Sequence, residues 1–317
     1  MDGQDLIRGL RQMLSEAAGS TWPDVKYCYD CLYEAAIKSV ERTNLLTTTQ
    51  SITTVANQTD YNFEPDFLKL YLTDIRNNFY IKYSDGTTTY FIYQQDYSEI
   101  VLANNTTSVS IPSTFAIVDA AAPSRMTGTT TSTGALTHSY TIFGSTLGES
   151  TLTDSGGSFG TVSVGDIVHN TTDTSHGIVA AESSSTAFIC ALFDGTNNYF
   201  TSGDSYIVTL QNRYKLVLDP PPSTAGHTIT IYYVQRPNPV YSYYRAYKMP
   251  YDFREPLLSY AAWKYRYRDR EPNFGDGYFK YWDISVRELG RMHNKSTLQR
   301  DFKVNLIKRI NRSRTVG

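Results

Sequence analysis

Three cysteines in 317 residues cannot build the framework of a disulfide-stapled protein, and a chain of this length buries enough surface to need none. No run of about 18 apolar residues is present to span a bilayer as a helix. Charge is scarce as well. Charged residues make up 19% of the chain and the net charge is −2, which gives no overall pull toward nucleic acid or membrane. The opening residues, Met1 to Gln12, place Asp2 and Asp5 ahead of Arg8 and Arg11 and are amphipathic, unlike the basic-then-apolar start of a secretory leader. Only five histidines occur, His138, His169, His176, His227 and His293, and none falls at a metal-ligand spacing. Cys28 and Cys31 form a C-x-x-C, but inside a helical pattern and without two further ligands, so two reduced, buried thiols are expected. Gly156 to Gly160 lacks the lysine and helix of a phosphate loop. The run Asp194 to Asn198 lacks the closing glutamate of a calcium loop. No metal, cofactor or catalysis is expected.

Tyrosine is what the chain has in excess. With 26 Tyr and 14 Phe the aromatic share reaches 14%. Two readings fit: wet, packed surfaces between subunits, where a large ring is buried and its hydroxyl keeps a partner, or strands, which favour Tyr in any protein.

The ends read as helix and the middle as strand. Leu6, Leu10, Met13, Leu14 and Ala17 make a helical stripe stopped at Gly19. Val25, Tyr29, Leu32, Ala36 and Val40 make a second, so a helical hairpin is expected over residues 1–44. From Leu45 the texture turns to β, with a hairpin around Ser84-Asp85-Gly86, a short helical turn near Asp96 to Glu99, and two strands over 109–118 broken at Pro112. Residues 120–210 differ in kind: lysine is absent, arginine appears only at Arg125, and Gly, Ser and Thr dominate. Two phrases echo there, Leu152-Thr153-Asp154 leading to Gly165-Asp166, and Leu192-Phe193-Asp194 leading to Gly203-Asp204. A small β-barrel or sandwich inserted into a loop of the main β unit accounts for them. Strands resume at Tyr214 to Leu218 and Thr228 to Val234. Helices return from Asp252, with Leu257, Ala261 and Tyr265 on one face and Tyr260, Trp263 and Tyr267 on the other. A last helix carries Tyr278, Trp282, Ser285, Leu289 and Met292 at heptad-like spacing.

The expected fold is therefore α+β: a helical bundle of the N- and C-terminal helices (1–44 and 245–294), and a central antiparallel β unit (45–119 and 211–244) that carries the inserted module (120–210). A basic tail (295–317) completes it. In that tail Lys308, Arg309, Arg312 and Arg314 interleave with Phe302, Val304, Leu306, Ile307 and Ile310. The apolar spacing fits a helix through Phe302, Leu306 and Ile310 and a strand through Phe302, Val304 and Leu306. Both stand, as does the choice between a protein groove, DNA phosphate and solvent as its partner. The aromatics Tyr260, Trp263, Tyr267, Tyr278 and Trp282 are candidates for contacts between copies of the chain: a helix apolar on every side, as at 257–267, must be buried all round, either between copies or as a central helix of one subunit, and the stripe over 278–292, only two heptads long, fits the core of one subunit better than a seam between copies.

The order of pieces carries a resemblance. A helical hairpin precedes a β unit, then Leu216-Val217-Leu218-Asp219-Pro220-Pro221-Pro222, Ile231-Tyr232-Tyr233 with Pro237, Met249-Pro250, and a helix opening Pro256-Leu257-Leu258-Ser259-Tyr260-Ala261-Ala262. Over residues 1–118 and 212–294 this resembles the head-to-tail connector adaptor proteins of tailed phages. The segment between resembles the Gly-Asp-rich β modules that decorate phage structural proteins. The resemblance implies a virion protein of the neck, assembled in the host cytoplasm as a ring of identical copies, commonly twelve, beneath the portal protein. Its C-terminal tail would engage the portal, and the ring would carry the DNA channel onward with only transient, non-specific contact with genomic double-stranded DNA. It would also offer a surface to tail nozzle, tube or fibre proteins. Two other virion roles remain: a decoration or host-glycan-binding protein, and a tail terminator or tube-type protein.

Overall fold

A computed structural model of the protein describes residues 1–14, 25–71, 80–103, 110–119, 124–142, 145–211, 213–268 and 275–292. Helices α1 (Gly3–Met13) and α2 (Val25–Thr43) open the chain. The carboxylate of Asp2 accepts from the N–H of Asp5 at 2.7 Å, which satisfies one of the unpaired donors of the first turn.

Then come β1 (Thr47–Thr53), β2 (Asp60–Asn62), β3 (Phe67–Leu70), β4 (Tyr80–Ser84), β5 (Thr89–Gln94), α3 (Tyr97–Ala103) and β6 (Thr114–Asp119). After a long excursion the same sheet resumes with β14 (Tyr214–Asp219) and β15 (Thr228–Gln235), in the order β1-β15-β4-β5-β6-β14-β2, with β3 also paired to β15. Alternation places the inner face: Leu216 and Leu218 on β14, and Ile229, Ile231 and Tyr233 on β15, join Phe63, Phe67, Ile81, Tyr83 and Phe115 in one core. The outer strands β1 and β2 come face to face. The side-chain amide of Gln50 donates to the Asn62 carbonyl at 3.1 Å and accepts from the Glu64 N–H at 3.2 Å, so one glutamine bridges the two edges of a nearly closed barrel. Two details depart from the sequence reading. Among the described residues of 109–118 only one strand, β6, forms, and it runs parallel to β5, with α3 in the connection between them.

The excursion is a second, seven-stranded sheet: β7 (Arg125–Thr129), β8 (Thr137–Ile142), β9 (Ser145–Thr153), β10 (Ile167–Asn170), β11 (Ser175–Ser184), β12 (Ala187–Phe193) and β13 (Ser205–Thr209), ordered β7-β13-β10-β11-β12-β9-β8. The two echoing phrases make the same turn. Gly165 and Gly203 both sit at φ +97, where a Cβ would be strained, and the following Asp166 and Asp204 accept from the N–H three residues back, of Ser163 at 2.8 Å and Thr201 at 2.7 Å. The strands they open, β10 and β13, pair with each other.

The helices of the C-terminal part are α4 (Arg254–Arg268) and α5 (275–292). The expected helical bundle is not what forms. Fifteen strands in two sheets dominate the described residues, and the helices make a flanking layer. The reason is in the core. α2 is buried along Cys28, Leu32, Ala35 and Val40, and its cluster takes in α1 and α4 but also Ile142, Leu147, Ile178, Ala191 and Phe193 of the seven-stranded sheet. Helical periodicity at the two ends was real, yet helices whose apolar surface is completed by strands do not constitute a bundle of their own.

Candidate functional site

α5 carries two apolar faces. Trp282, Val286 and Leu289 point inward, at helical spacing, against α2: the Trp282 indole donates to the Ser39 hydroxyl at 3.0 Å and the Arg42 guanidinium lies 5.4 Å above its ring. Gly290 packs so close to Thr43 that a Cβ would stand 3.1 Å from the threonine methyl. On the other side Tyr281, Ile284 and Met292 are 50%, 57% and 63% exposed, while Phe279, 36% exposed, packs on Trp263 and Trp282 with centroids 4.7 and 5.4 Å away. Lys280, Arg287, Glu288 and Arg291 are exposed around them. Asp283 is held between Arg42 at 2.5 Å and Arg287 at 2.7 Å, which fixes the helix on α2.

The aromatics singled out as contacts between copies are placed as follows. Tyr260 is buried, donates to Glu34 Oε1 at 2.8 Å and meets Trp263 and Trp282 edge-on with centroids 5.2 and 4.9 Å away. Burial and then the Glu34 carboxylate push its hydroxyl well up from the ordinary tyrosine value. Trp282 is buried, Trp263 is half-buried against Phe279, and the half-buried Tyr278 donates to the Met13 carbonyl at 3.2 Å. These four therefore pack within one chain. The side chain of Tyr267 lies outside the described residues. So does the whole tail with Phe302, Val304, Leu306, Ile307, Lys308, Arg309, Ile310, Arg312 and Arg314. Sequence reasoning passed over Tyr281 and Ile284. A strict heptad drifts about 20° per repeat on a straight helix, which is why the stripe through Tyr278, Trp282 and Leu289 ends on an exposed Met292.

The seven-stranded sheet is fastened to α2 and to the segment between β15 and α4 by polar as well as apolar contacts. Glu149 on β9 accepts from Arg245 Nε and Nη2, both at 2.8 Å, and from the Ser242 hydroxyl at 2.7 Å. Burial raises the Glu149 carboxyl, but the guanidinium and hydroxyl outweigh it and hold it below the ordinary value. Tyr140 stacks on Tyr243 with centroids 3.7 Å apart and its hydroxyl lies 3.3 Å from that of Tyr29. Inside the sheet, Asn170 Nδ2 bridges two buried carboxylates, Asp173 Oδ2 at 3.1 Å and Asp204 Oδ2 at 2.9 Å.

Among the described residues no three His, Cys, Asp or Glu side chains gather as metal ligands. Cys28 and Cys31 are buried reduced thiols, and burial pushes Cys31 up to about 12, far from the range of a reactive thiolate. No protein-family model matches the chain, and comparison with curated proteins finds no relative.

Proposed function

We propose that the chain is a head-to-tail adaptor of a tailed phage particle, assembled as a ring beneath the portal, with α5 as one half of the contact between neighbours. The observation that carries this is the two-sidedness of α5: one face is consumed by α2, and a second, with Tyr281, Ile284 and Met292, is left to solvent. A closed ring needs heterologous contacts, in which such a face meets a different surface of the next copy. The order of elements along the chain supports the reading from the sequence side. The implied bundle does not, so the reading rests on element order and on α5.

Native mass spectrometry of the protein, alone and with the portal protein of the same particle, tests it. The expected result is a ring-sized species or a portal complex, lost in Ile284→Asp while the fold is kept. A monomer indifferent to the portal would sink the reading, and a complex with tail-tube protein instead would make the chain a tail terminator. Deleting the seven-stranded sheet is a poorer test, because Tyr29 and Tyr241 pack on its Phe193 and would be uncovered.

A second reading has its own observation. Phe91 and Tyr93 stand side by side on the outer face of β5, each about half exposed, in a barrel wall rich in threonine. Such a platform suits the flat face of a saccharide. Glycan binding that disappears in Phe91→Ala, in a protein that forms no ring, would favour it.

A further inference from the structure

We propose that the cleft between the barrel, the seven-stranded sheet and α2 is the docking site of the basic segment that follows α5, residues 300–314 of the same chain. The cleft encloses about 400 Å³. Some of its polar groups are committed to one another: Asp166 is paired with Arg213 at 2.8 Å, and Asp66 accepts from the Tyr233 hydroxyl at 2.7 Å and from the Gln235 amide. Others are not. The carboxylates of Glu64 and Glu182 and the ammonium of Lys248 have no partner among the described residues, and Arg236 spends only its Nε, on the Phe67 carbonyl at 3.1 Å. Between these charges lie Tyr33, Leu46, Val164, Pro237 and Pro239. Uncommitted charges of both signs around an apolar strip ask for an occupant with the same mixture.

The segment 300–314 brings apolar residues together with six basic side chains and one acidic one, so it answers the carboxylates chiefly and the basic groups through Asp301. Arg300, Lys303, Lys308, Arg309, Arg312 and Arg314 offer partners to Glu64 and Glu182, and Asp301 offers one to Arg236 and Lys248. Phe302, Val304 and Leu306 are placed among them to meet the prolines and Leu46. Position agrees with composition. α5 ends beside Thr43, where Gly290 packs, and Leu46 in the cleft wall is three residues further along, at most about 11 Å of chain. From 292 to 300 the chain can extend about 28 Å, which reaches the cleft without a second copy. The inference goes beyond the adaptor reading and does not depend on it. Where that reading also holds, the portal would have to draw the segment out of the cleft.

Carbodiimide cross-linking of the full chain tests this, using a mixture of isotopically light and heavy protein at low concentration and low salt. The expected products join Lys303 or Lys308 to Glu64 or Glu182, with light joined to light and heavy to heavy. Trypsin should cut at Lys303, Lys308 and Arg309 about 5–10-fold more slowly in the native chain than in the Glu64→Gln/Glu182→Gln variant, and added salt should erase the difference. Both substituted glutamates are exposed, so the variant should keep its melting temperature. Absence of these cross-links, cross-links only between light and heavy chains, or equal cleavage in the two proteins would each overturn the proposal. If ring formation fails while the cross-links form, the adaptor reading falls and this one stands.

Discussion

Glu149 and Arg245 hold each other through two parallel hydrogen bonds of 2.8 Å, and the glutamate is 3% exposed while the arginine is 31% exposed. Removing the guanidinium in Arg245→Ala leaves a carboxylate buried with only the Ser242 hydroxyl. Loss of one partner of a fully buried pair costs about 3–5 kcal/mol, and the exposure of Arg245 brings the expectation to about 2 kcal/mol. The folded pKa of Glu149 lies below its ordinary 4.5, so the stability it contributes is present above that value and is lost as pH falls through the folded one. Urea titrations at pH 7 and near pH 3 should therefore show a wide gap between wild type and variant that narrows in acid.

Asn170 keeps the carboxylates of Asp173 and Asp204 apart with one amide. In Asn170→Asp a third carboxylate replaces the shared donor, and we expect a loss of about 2–4 kcal/mol at neutral pH. Burial beside two like charges raises the new carboxyl in the folded state, so the variant should recover relative to wild type as pH drops. A melting temperature difference that stays constant from pH 7 to pH 4 would count against this account.

The seam of the barrel rests on Gln50. Gln50→Ala removes the acceptor of the Glu64 N–H and the donor to the Asn62 carbonyl, both at a solvated edge, so the global cost should be only about 1 kcal/mol. Amide hydrogen exchange is the sharper readout. The Glu64 amide should exchange much faster, while those of the β15 interior keep their rates.

Two residues two positions apart on α5 should behave oppositely. Trp282→Ala empties a buried site and should cost about 3–5 kcal/mol in chemical denaturation. Ile284→Asp, on the exposed face, should leave stability within about 0.5 kcal/mol and act on association alone. Equal destabilisation by both would mean that the outer face is part of the fold.

Much of the local structure was legible. The alternation of Leu216 with Leu218, and of Ile229 with Ile231 and Tyr233, placed the barrel's inner face, and the repeated Gly-Asp phrase marked two strand openings that turn out to be neighbours. What could not be read were relations between distant residues. Nothing near Trp282 or Tyr260 announces Ser39 and Glu34 as their partners, so a contact between copies and a place in the core of one subunit both stayed open for these aromatics. Likewise, nothing near α2 announces that Phe193 and Ile142 complete its surroundings. The bundle was inferred from periodicity, which reports that a face is buried and not what buries it.

Tyr214 on β14 stands opposite Asp119 on β6, so the seven-stranded sheet leaves the barrel and returns to it at a single rung. For the barrel, everything between is a loop, and the entropy of closing a loop grows only with the logarithm of its length. That sheet could thus be shortened, lengthened or exchanged without redesigning the barrel beneath it. The structural constraint lies instead at the patch where Phe193 and Tyr140 meet Tyr29 and Glu149 meets Arg245, and a replacement domain would have to supply its own ring, hydroxyl and carboxylate there.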